Sequence, residues 1–337
     1  MRDVASLAGV SLKTVSRVVN SESGVSDELI DKVRAAAQTL DYRHNLAARN
    51  LRLTRRETAS FAVLVQDLSN GYAAALLRAI DDVARQRQVV MITASLDEEA
   101  DRERDLVANL INRRVDGLIL MPASHDQSYL VTDMAAGFKV VMIDRAPTGV
   151  DSDSVLVDNV GGAAMATAHL IDHGHRRVAI VTDDLRIATA QQRLKGYRQA
   201  LSTVGLPYDP ALAGSARTVA DAAQQVHQLL SESDPPTAIF AARNDISQGA
   251  VLALRQHRLA DEVALVGFDD FPLADLLVPA LTVVSQDPAQ VGRRAAEMLL
   301  DRLEGIHVNL GHVLLQPRLI TRGSGEITPP ARRRISL

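Results

Sequence analysis

Several apolar stretches of this 337-residue sequence end in side chains suited to holding hydroxyl groups. Asp144 closes the run 140–143, Asn244 and Asp245 follow the run 238–240, and Asp269 comes directly after Gly267-Phe268. Arg193 lies on the helical stretch after Thr182. A carboxylate accepts two hydrogen bonds, an amide donates and accepts, and a guanidinium donates as a rigid fork. Such groups converging from two lobes suit a polyhydroxylated ligand. Asp and Asn at strand ends also cap the helix that follows, so a structural role stays open for each. Aromatic residues make up only 3% of the chain, which argues against a pocket built on stacking and leaves Tyr72 and Phe271 as the few candidates.

Other chemistry is poorly supplied. There is no cysteine, so disulfides, thiolate catalysis and cysteine-type zinc sites are excluded together. His169, His173 and His175 have metal-like spacing, but Gly174 after His173 reads as the end of a helix, where the dipole favours His and Arg on electrostatic grounds. Asp151-Ser152-Asp153 resembles the start of a calcium loop without the glycine and glutamate such a loop needs. No Walker A or Gly-x-Ser-x-Gly pattern occurs, and no nucleophile sits beside an obvious base. The expectation is a protein that is not an enzyme, with no metal and no cofactor.

The elements that must position these groups fall in two regions. Residues 1–56 carry ten Lys/Arg against six Asp/Glu, whereas the whole chain has a net charge of −4, so the remainder is acidic. Five arginines and no acid lie between Arg43 and Arg56. A basic head on an acidic body fits a polyanion-binding module, although charge alone fits a solvated basic segment equally well. Val4, Leu7 and Ala8 mark one short helix, Gly9 a turn, and Ser11 the cap of a second helix reaching about Asn20 with Val15, Val18 and Val19 inward. Ser26 is expected to cap a third helix with Ile30, Val33, Ala37 and Leu40 on its inner stripe. Two short helices joined by a glycine turn, with a third closing the core, outline a helix-turn-helix. On the second helix Ser, Thr and Asn can fix phosphates, while Lys and Arg can reach guanine edges.

The phrases Asp3-Val4-Ala5, Ala8-Gly9-Val10-Ser11, Thr14-Val15-Ser16-Arg17-Val18-Val19-Asn20 and Leu40-Asp41-Tyr42 resemble the head of the lactose/galactose repressor family. The resemblance continues past Asn45. It implies that Leu12, Lys13 and Arg17 read bases in the major groove and that Thr14, Ser16 and Asn20 hold the backbone. The family's capping threonine ahead of Asp-Val-Ala has no counterpart between Met1 and Asp3, so a first helix weaker by ~1 kcal/mol is expected, or a start that lies upstream. The segment Asn45-Leu46-Ala47-Ala48-Arg49-Asn50-Leu51-Arg52 is similar to the family's hinge helix, which places Leu51 as a minor-groove wedge with Arg52 beside it. Eight residues alone do not make a stable helix in water, so such a hinge would form only when dimer and DNA hold it.

From residue 60 onward, short apolar runs alternate with amphipathic helical stretches. Runs apolar at every position, such as 61–65, 89–92, 117–121, 140–143, 178–181 and 263–268, suggest strands covered on both faces and hence parallel sheets. Their number favours two lobes over one sheet, with ligands at the carboxyl ends of strands. Val157-Asp158-Asn159, His173-Gly174-His175-Arg176-Arg177, Val266-Gly267-Phe268-Asp269, Pro279-Ala280-Leu281-Thr282 and Pro317-Arg318-Leu319-Ile320 carry the resemblance through this body. The implied fold is a small all-α helix-turn-helix domain followed by an α/β bilobal domain of two doubly wound parallel sheets, like a periplasmic binding protein. The boundaries are a head at 1–44, a hinge at 45–58, a bilobal domain at 59–325 and a tail at 326–337. Lobe 1 takes roughly 60–157 with 287–314, and lobe 2 roughly 158–286 with 315–325. By resemblance Arg193, Asn244 and Asp269 touch the effector, followed by Asp144, Thr189 and Gln286, while Ser69, Asn70 and Tyr72 complete the wall. Ile187 stands where purine-binding relatives have arginine, which argues against a nucleobase.

The function expected is a cytoplasmic, sequence-specific transcription repressor. It would bind a pseudo-palindromic double-stranded operator as a homodimer and answer to a sugar-like effector. No run is long and apolar enough for a membrane span, and the tail lacks the leucine heptads that would build a tetramer. The competing readings are a sugar-binding or sensing protein of the same bilobal fold without DNA function, and an enzyme on that scaffold.

Overall fold

The computed structural model describes residues 1–19, 24–40, 42, 59–306 and 309–330. The chain divides into two compact units, Met1–Thr58 and Ala59–Leu337.

The first unit holds helices α1 (Arg2–Ala8), α2 (Leu12–Val19) and α3 (Asp27–Thr39). Val4, Ala5, Val15, Val33 and Ala36 are its buried centre, with Val18, Val19 and Tyr42 packed around them. Gly9 takes a left-handed conformation (φ 65°) that ends α1, and its N–H returns to the carbonyls of Ala5 and Ser6. Ser11 caps α2 as its chemistry suggests, its hydroxyl accepting from the Thr14 N–H at 3.0 Å. Two expectations need correction. Ser26 precedes α3 but makes no side-chain cap bond, leaving only its carbonyl to start the helix. Leu40 lies one residue beyond the end of α3 and is 43% exposed; Ala36 occupies the inner stripe in its place. The N-cap of α1 is Met1, without a side-chain bond.

The second unit contains two six-stranded sheets. The first is built from β1 (Ser60–Val65), β2 (Val90–Ser95), β3 (Gly117–Leu120), β4 (Lys139–Ile143), β5 (Asp153–Val157) and β11 (His312–Leu315), in the order β11-β5-β4-β3-β1-β2. The second comprises β6 (Val178–Thr182), β7 (Ala213–Ser215), β8 (Ala238–Ala241), β9 (Ala264–Phe268), β10 (Thr282–Ser285) and β12 (Arg318–Ile320), in the order β12-β10-β9-β8-β6-β7. The pairings are parallel except at β10 and β12, where the antiparallel edge departs from the all-parallel expectation. β3, β6 and β9 are buried at every position and β1 at all but its first, which is why these sequences read as apolar runs. The run at 89–92 is the exception, because β2 is an edge strand with Val90 63% and Ile92 40% exposed.

Helices α4 (Gly71–Gln86), α5 (Ala100–Asn112) and α6 (Val131–Ala135) follow strands of the first sheet. Helices α7 (Asn159–Asp172), α8 (Ala188–Thr203), α9 (Val219–Leu230), α10 (Asn244–Gln256) and α11 (Pro288–Leu303) follow later strands. The two lobes are related by topology. The chain leaves the first sheet after β5, and α7 packs on α8 and the second sheet; it leaves the second sheet after β10, and α11 packs on α4 and the first. Glycine makes both contacts close. A Cβ on Gly292 would meet the Leu76 carbonyl at 2.5 Å, and one on Gly196 would meet that of Val160 at 2.1 Å. No helix among the described residues is long and apolar enough to cross a membrane.

Candidate functional site

The carboxyl ends of the two sheets meet at a cleft whose cavity has an empty volume of about 730 Å³, solvent at its mouth included. The two sheets contribute an aspartate at equivalent places. Asp144 follows β4 and Asp269 follows β9, and each backbone is left-handed, with φ 65° and 70°. The Asp144 N–H reaches the Val155 carbonyl on β5 at 3.2 Å, and the Asp269 N–H reaches that of Val284 on β10 at 2.8 Å. Asp tolerates this conformation better than most residues, and the neighbouring strand holds it there. The result is a carboxyl group at the end of each sheet.

Around Asp269 the lobe-2 groups are tightly organised. Arg193, on the second turn of α8, is only 6% exposed. Its Nε donates to Asn159 Oδ1 at 2.8 Å and its Nη1 to the Ala242 carbonyl at 2.7 Å, while its carbon centre lies 3.9 Å from the Phe268 ring centroid. Nη1 is 3.7 Å from Asp269 Oδ2, and the Gln286 amide donates to Asp269 Oδ1. Burial pushes the Asp269 carboxyl above its ordinary range; Arg193 and Gln286 pull it down, and Asp144 adds to the rise. Burial likewise lifts the Tyr72 phenol well above its usual value, with Asp144 and Asp269 contributing.

The lobes also touch directly. Asn70, the N-cap of α4, exchanges two hydrogen bonds of 3.1 Å with Asn244 at the start of α10, and its amide reaches Asp245 at 3.3 Å. Four buried polar atoms in the cavity wall, Tyr72 OH, Gln286 Oε1, Arg145 Nε and Arg243 Nε, have no hydrogen-bond partner among the described residues. Buried polar atoms rarely stay unpaired, so their concentration in one cavity points to a polar ligand.

Of the residues singled out in the sequence, Tyr72, Asp144, Thr189, Arg193, Asn244, Asp269 and Gln286 all line this cavity. Ser69 does not; its hydroxyl and N–H both turn to Asp67 Oδ1, at 2.7 and 2.8 Å. Phe271 is also absent from the lining and packs instead against the lobe-2 core. Sequence reasoning missed Asp67, Glu98, Arg145, Asp183 and Arg243. Arg243 is held by Asp183, by Asp245 at 2.6 Å and by the Arg217 carbonyl at 2.8 Å. Arg145 donates to both oxygens of Glu98, at 2.7 and 2.5 Å. The strand-end signal that found Asp144 would also have found Asp183, which directly follows β6.

In the helical unit Leu12 is 47% exposed and Lys13 is exposed, while Thr14, Ser16 and Arg17 are half-buried. The Thr14 hydroxyl pairs with Ser11 Oγ at 2.9 Å. The Arg17 guanidinium lies against Gly24, whose left-handed backbone (φ 85°) disfavours a side chain there. Asn20, Asn45, Leu51 and Arg52 lie outside the described residues.

Residues 1–45 match the family model described as bacterial regulatory proteins, lacI family, and residues 167–325 match the periplasmic binding protein-like domain. The chain is 32% identical over 327 residues to the ribose operon repressor of Haemophilus influenzae, covering 96% of this chain and 98% of that relative. Among solved structures it is similar to the lac repressor dimer bound to operator and the anti-inducer ONPF, with 27% identity, a TM-score of 0.83, and 96% and 98% of the two chains covered. It is also similar to the transcriptional regulator CelR in its cellobiose complex, with 30% identity, a TM-score of 0.71 and the same coverage. A helix-turn-helix head, a bilobal ligand-binding body and relatives matched along nearly their full length converge on one conclusion: the chain belongs to the lacI family of bacterial regulatory proteins, DNA-binding repressors of transcription.

Proposed function

We propose that this regulator acts in the cytoplasm as a homodimer on a pseudo-palindromic operator and that a small sugar or sugar derivative in the interlobe cleft sets its grip. The observation that carries the reading is the cavity itself, where carboxyl, amide and guanidinium groups from both lobes face one space and four buried polar atoms lack partners. Hydroxyl groups, which donate and accept at once, suit such a wall. The name ribose operon repressor, borne by a relative 32% identical, points the same way. The effector contacts are Tyr72, Asp144, Thr189, Arg193, Asn244, Asp269 and Gln286, with no enzymatic step and no cofactor.

Dimer formation is supported by apolar residues left uncovered on one chain. Leu273, Leu276 and Val278 are 65%, 70% and 80% exposed, and Leu252 is 47% exposed. On the other lobe, Val90 and Ile92 open the face of β2. Each dimer half would offer Leu12, Lys13 and Arg17 to bases and Thr14, Ser16 and Asn20 to the backbone. Asn45, Leu51 and Arg52 would form the hinge, with Leu51 as the wedge. Lobe closure would change how the two hinges approach each other. A hundredfold change in operator affinity needs about 2.8 kcal/mol of coupling, at ~1.4 kcal/mol per decade, which lies inside the usual allosteric range.

The test is a thermal-shift screen of the full chain against pentoses, hexoses, polyols and nucleosides, paired with operator binding at two salt concentrations. A sugar is expected to raise Tm, and operator affinity to fall steeply with salt as counterions are released. Leu51→Ala is expected to lower specific affinity and DNA bending together. A response to nucleosides alone would overturn the sugar reading, and unchanged bending in Leu51→Ala would remove the wedge.

A further inference from the structure

A second cavity, with an empty volume of about 820 Å³, lies beside the first and shares Glu98, Arg145 and Ile187 with it. Lobe 1 lines it with Ser124, His125 and Thr148, from the loops after β3 and β4. Lobe 2 supplies Asp184, Arg186 and Arg217, from the loops after β6 and β7. It is therefore an interlobe space built, like the first, at strand carboxyl ends.

The two cavities differ in what they offer. The first is lined by the carboxyl groups of Asp67, Glu98, Asp144, Asp183, Asp245 and Asp269 and by only three guanidinium groups. The second has only two acids, Glu98 and Asp184, and both are engaged. Glu98 takes both terminal nitrogens of Arg145, and Asp184 accepts from Arg186 Nε and N, each at 2.9 Å. The hydrogen bonds from Arg186 hold the Asp184 carboxyl down at about 2, so it stays charged and occupied. The cations are not saturated. Among the described residues neither the Arg217 guanidinium nor the His125 ring makes a hydrogen bond or ion pair, although Arg217 lies near enough to Asp184 to help lower its carboxyl; Arg145 Nε makes no hydrogen bond and pairs only with Asp144, at 3.7 Å. The surplus in this wall is donors without acceptors.

We infer that the second cavity receives an anionic group, a phosphate or a carboxylate, carried by the same effector whose hydroxyl-bearing ring occupies the first. Arg217 is the recognition residue, assisted by His125, Arg186 and Arg145. The first cavity sets six carboxyl groups against three guanidinium groups, whereas the second sets Glu98 and Asp184 against Arg145, Arg186, Arg217 and His125, so an anion is better matched in the second. The class of effector is thus an acidic sugar derivative, bound with its neutral end at Asp144 and Asp269. This inference rests on the sugar reading of the cleft.

The experiment is calorimetric titration of the full chain, at low and high salt. The ligands are pentose and hexose phosphates, the corresponding sugar acids, their neutral parents and inorganic phosphate alone. Expected are at least one acidic sugar binding tenfold or more tighter than its neutral parent, and narrowing of that gap with salt. Arg217→Ala should erase the gap while leaving the neutral parent's affinity unchanged, and Arg217→Lys should restore part of it. Asp269→Ala should weaken acidic and neutral sugars alike. Neutral sugars that bind as tightly as their acidic derivatives, with Arg217→Ala changing neither, would overturn the second site and leave the sugar reading standing. Inorganic phosphate that binds undiminished in Arg217→Ala would overturn Arg217 as the recognition residue. Absence of binding by every sugar, neutral or acidic, would remove the sugar reading and this inference with it.

Discussion

The two lobes share a plan and differ in how finished their halves of the cleft are. On lobe 2, Asp269 accepts from Gln286 and faces Arg193, which is itself pinned by Asn159, the Ala242 carbonyl and the Phe268 ring. On lobe 1, the equivalent Asp144 accepts no side-chain hydrogen bond among the described residues, its nearest cation being Arg145 Nε at 3.7 Å, and Tyr72 OH is likewise unpartnered. A half-site whose groups already fix one another loses little freedom when a ligand arrives. A half-site with unpaired groups gains most when the ligand completes it. On the proposed sugar reading, the difference would give recognition to lobe 2 and closure to lobe 1.

Replacing the paired aspartates tests that assignment most severely. Asp269→Ala removes a buried carboxyl and strands the Gln286 amide and part of the Arg193 charge. Loss of a hydrogen-bonded charged group of this kind costs about 2–4 kcal/mol, so sugar affinity is expected to fall by two or three decades while operator binding persists. Asp144→Ala removes a group with a side chain 11% exposed and no bonded neighbour, and a loss of about tenfold is expected. Calorimetry on both variants decides the matter. Equal losses would mean that the two halves contribute alike.

The same contrast explains what could be read in the sequence. Asp144 and Asp269 stand directly after unbroken apolar runs and Asn244 one residue further on, past Arg243, so the strand-end rule found them. Arg145, Arg243 and Glu98 were missed because their positions in the cleft depend on partners far along the chain, such as the Arg145–Glu98 pair formed across 47 residues. Ser69 was misplaced because an Asp two residues earlier captures its hydroxyl, a local turn that resemblance alone does not reveal. Among strands, most central ones were legible as apolar runs; β5 and β10, though central, were not, because Asp153, Ser154, Thr282 and Ser285 interrupt their apolar pattern. The short β7 and the edge strands β11 and β12 carry too few buried positions to declare themselves. β2 announced itself but misled about burial, since an apolar edge strand and a central one look alike along the chain.

A pH titration sharpens the comparison from the other side of lobe 2. His175, buried at the end of α7, has Nε2 2.7 Å from the Ile327 carbonyl and Nδ1 2.9 Å from the Thr237 hydroxyl. The carbonyl can only accept, so Nε2 carries the proton and Nδ1 receives from Thr237. Burial pushes the imidazole below its ordinary 6.5, against the Ile327 hydrogen bond and with help from neighbouring His173. A histidine with a depressed folded-state pKa contributes stability above 6.5 that is lost as pH falls through that value towards the folded one. The Tm of the free protein is therefore expected to drop between pH 7.5 and 5.5, and His175→Gln should flatten the profile while lowering its plateau. An equally steep profile in the variant would assign the loss to other groups.

The smallest expected effect concerns the seam itself. Asn70 and Asn244 bind each other across the cleft through two amide hydrogen bonds, and each is also tied to its own helix start, Asn70 to the Tyr72 N–H and Asn244 to the Asp245 N–H. A sugar hydroxyl that engages Asn244 must compete with Asn70 or join it. If it competes, Asn70→Ala frees Asn244 and tightens sugar binding a few-fold. If it joins, closure loses a contact and binding weakens by a similar factor, about 0.5–1.5 kcal/mol for a neutral hydrogen bond net of solvent. The lobe contrast predicts the second outcome, because a lobe that acts by closing needs every contact that forms on closure. Small-angle scattering of Asn70→Ala with and without sugar would then show a smaller compaction than in the unaltered chain, with Asp269-dependent binding retained. Tighter binding with undiminished compaction would instead make Asn70 a competitor and leave closure to Asp144 and Tyr72.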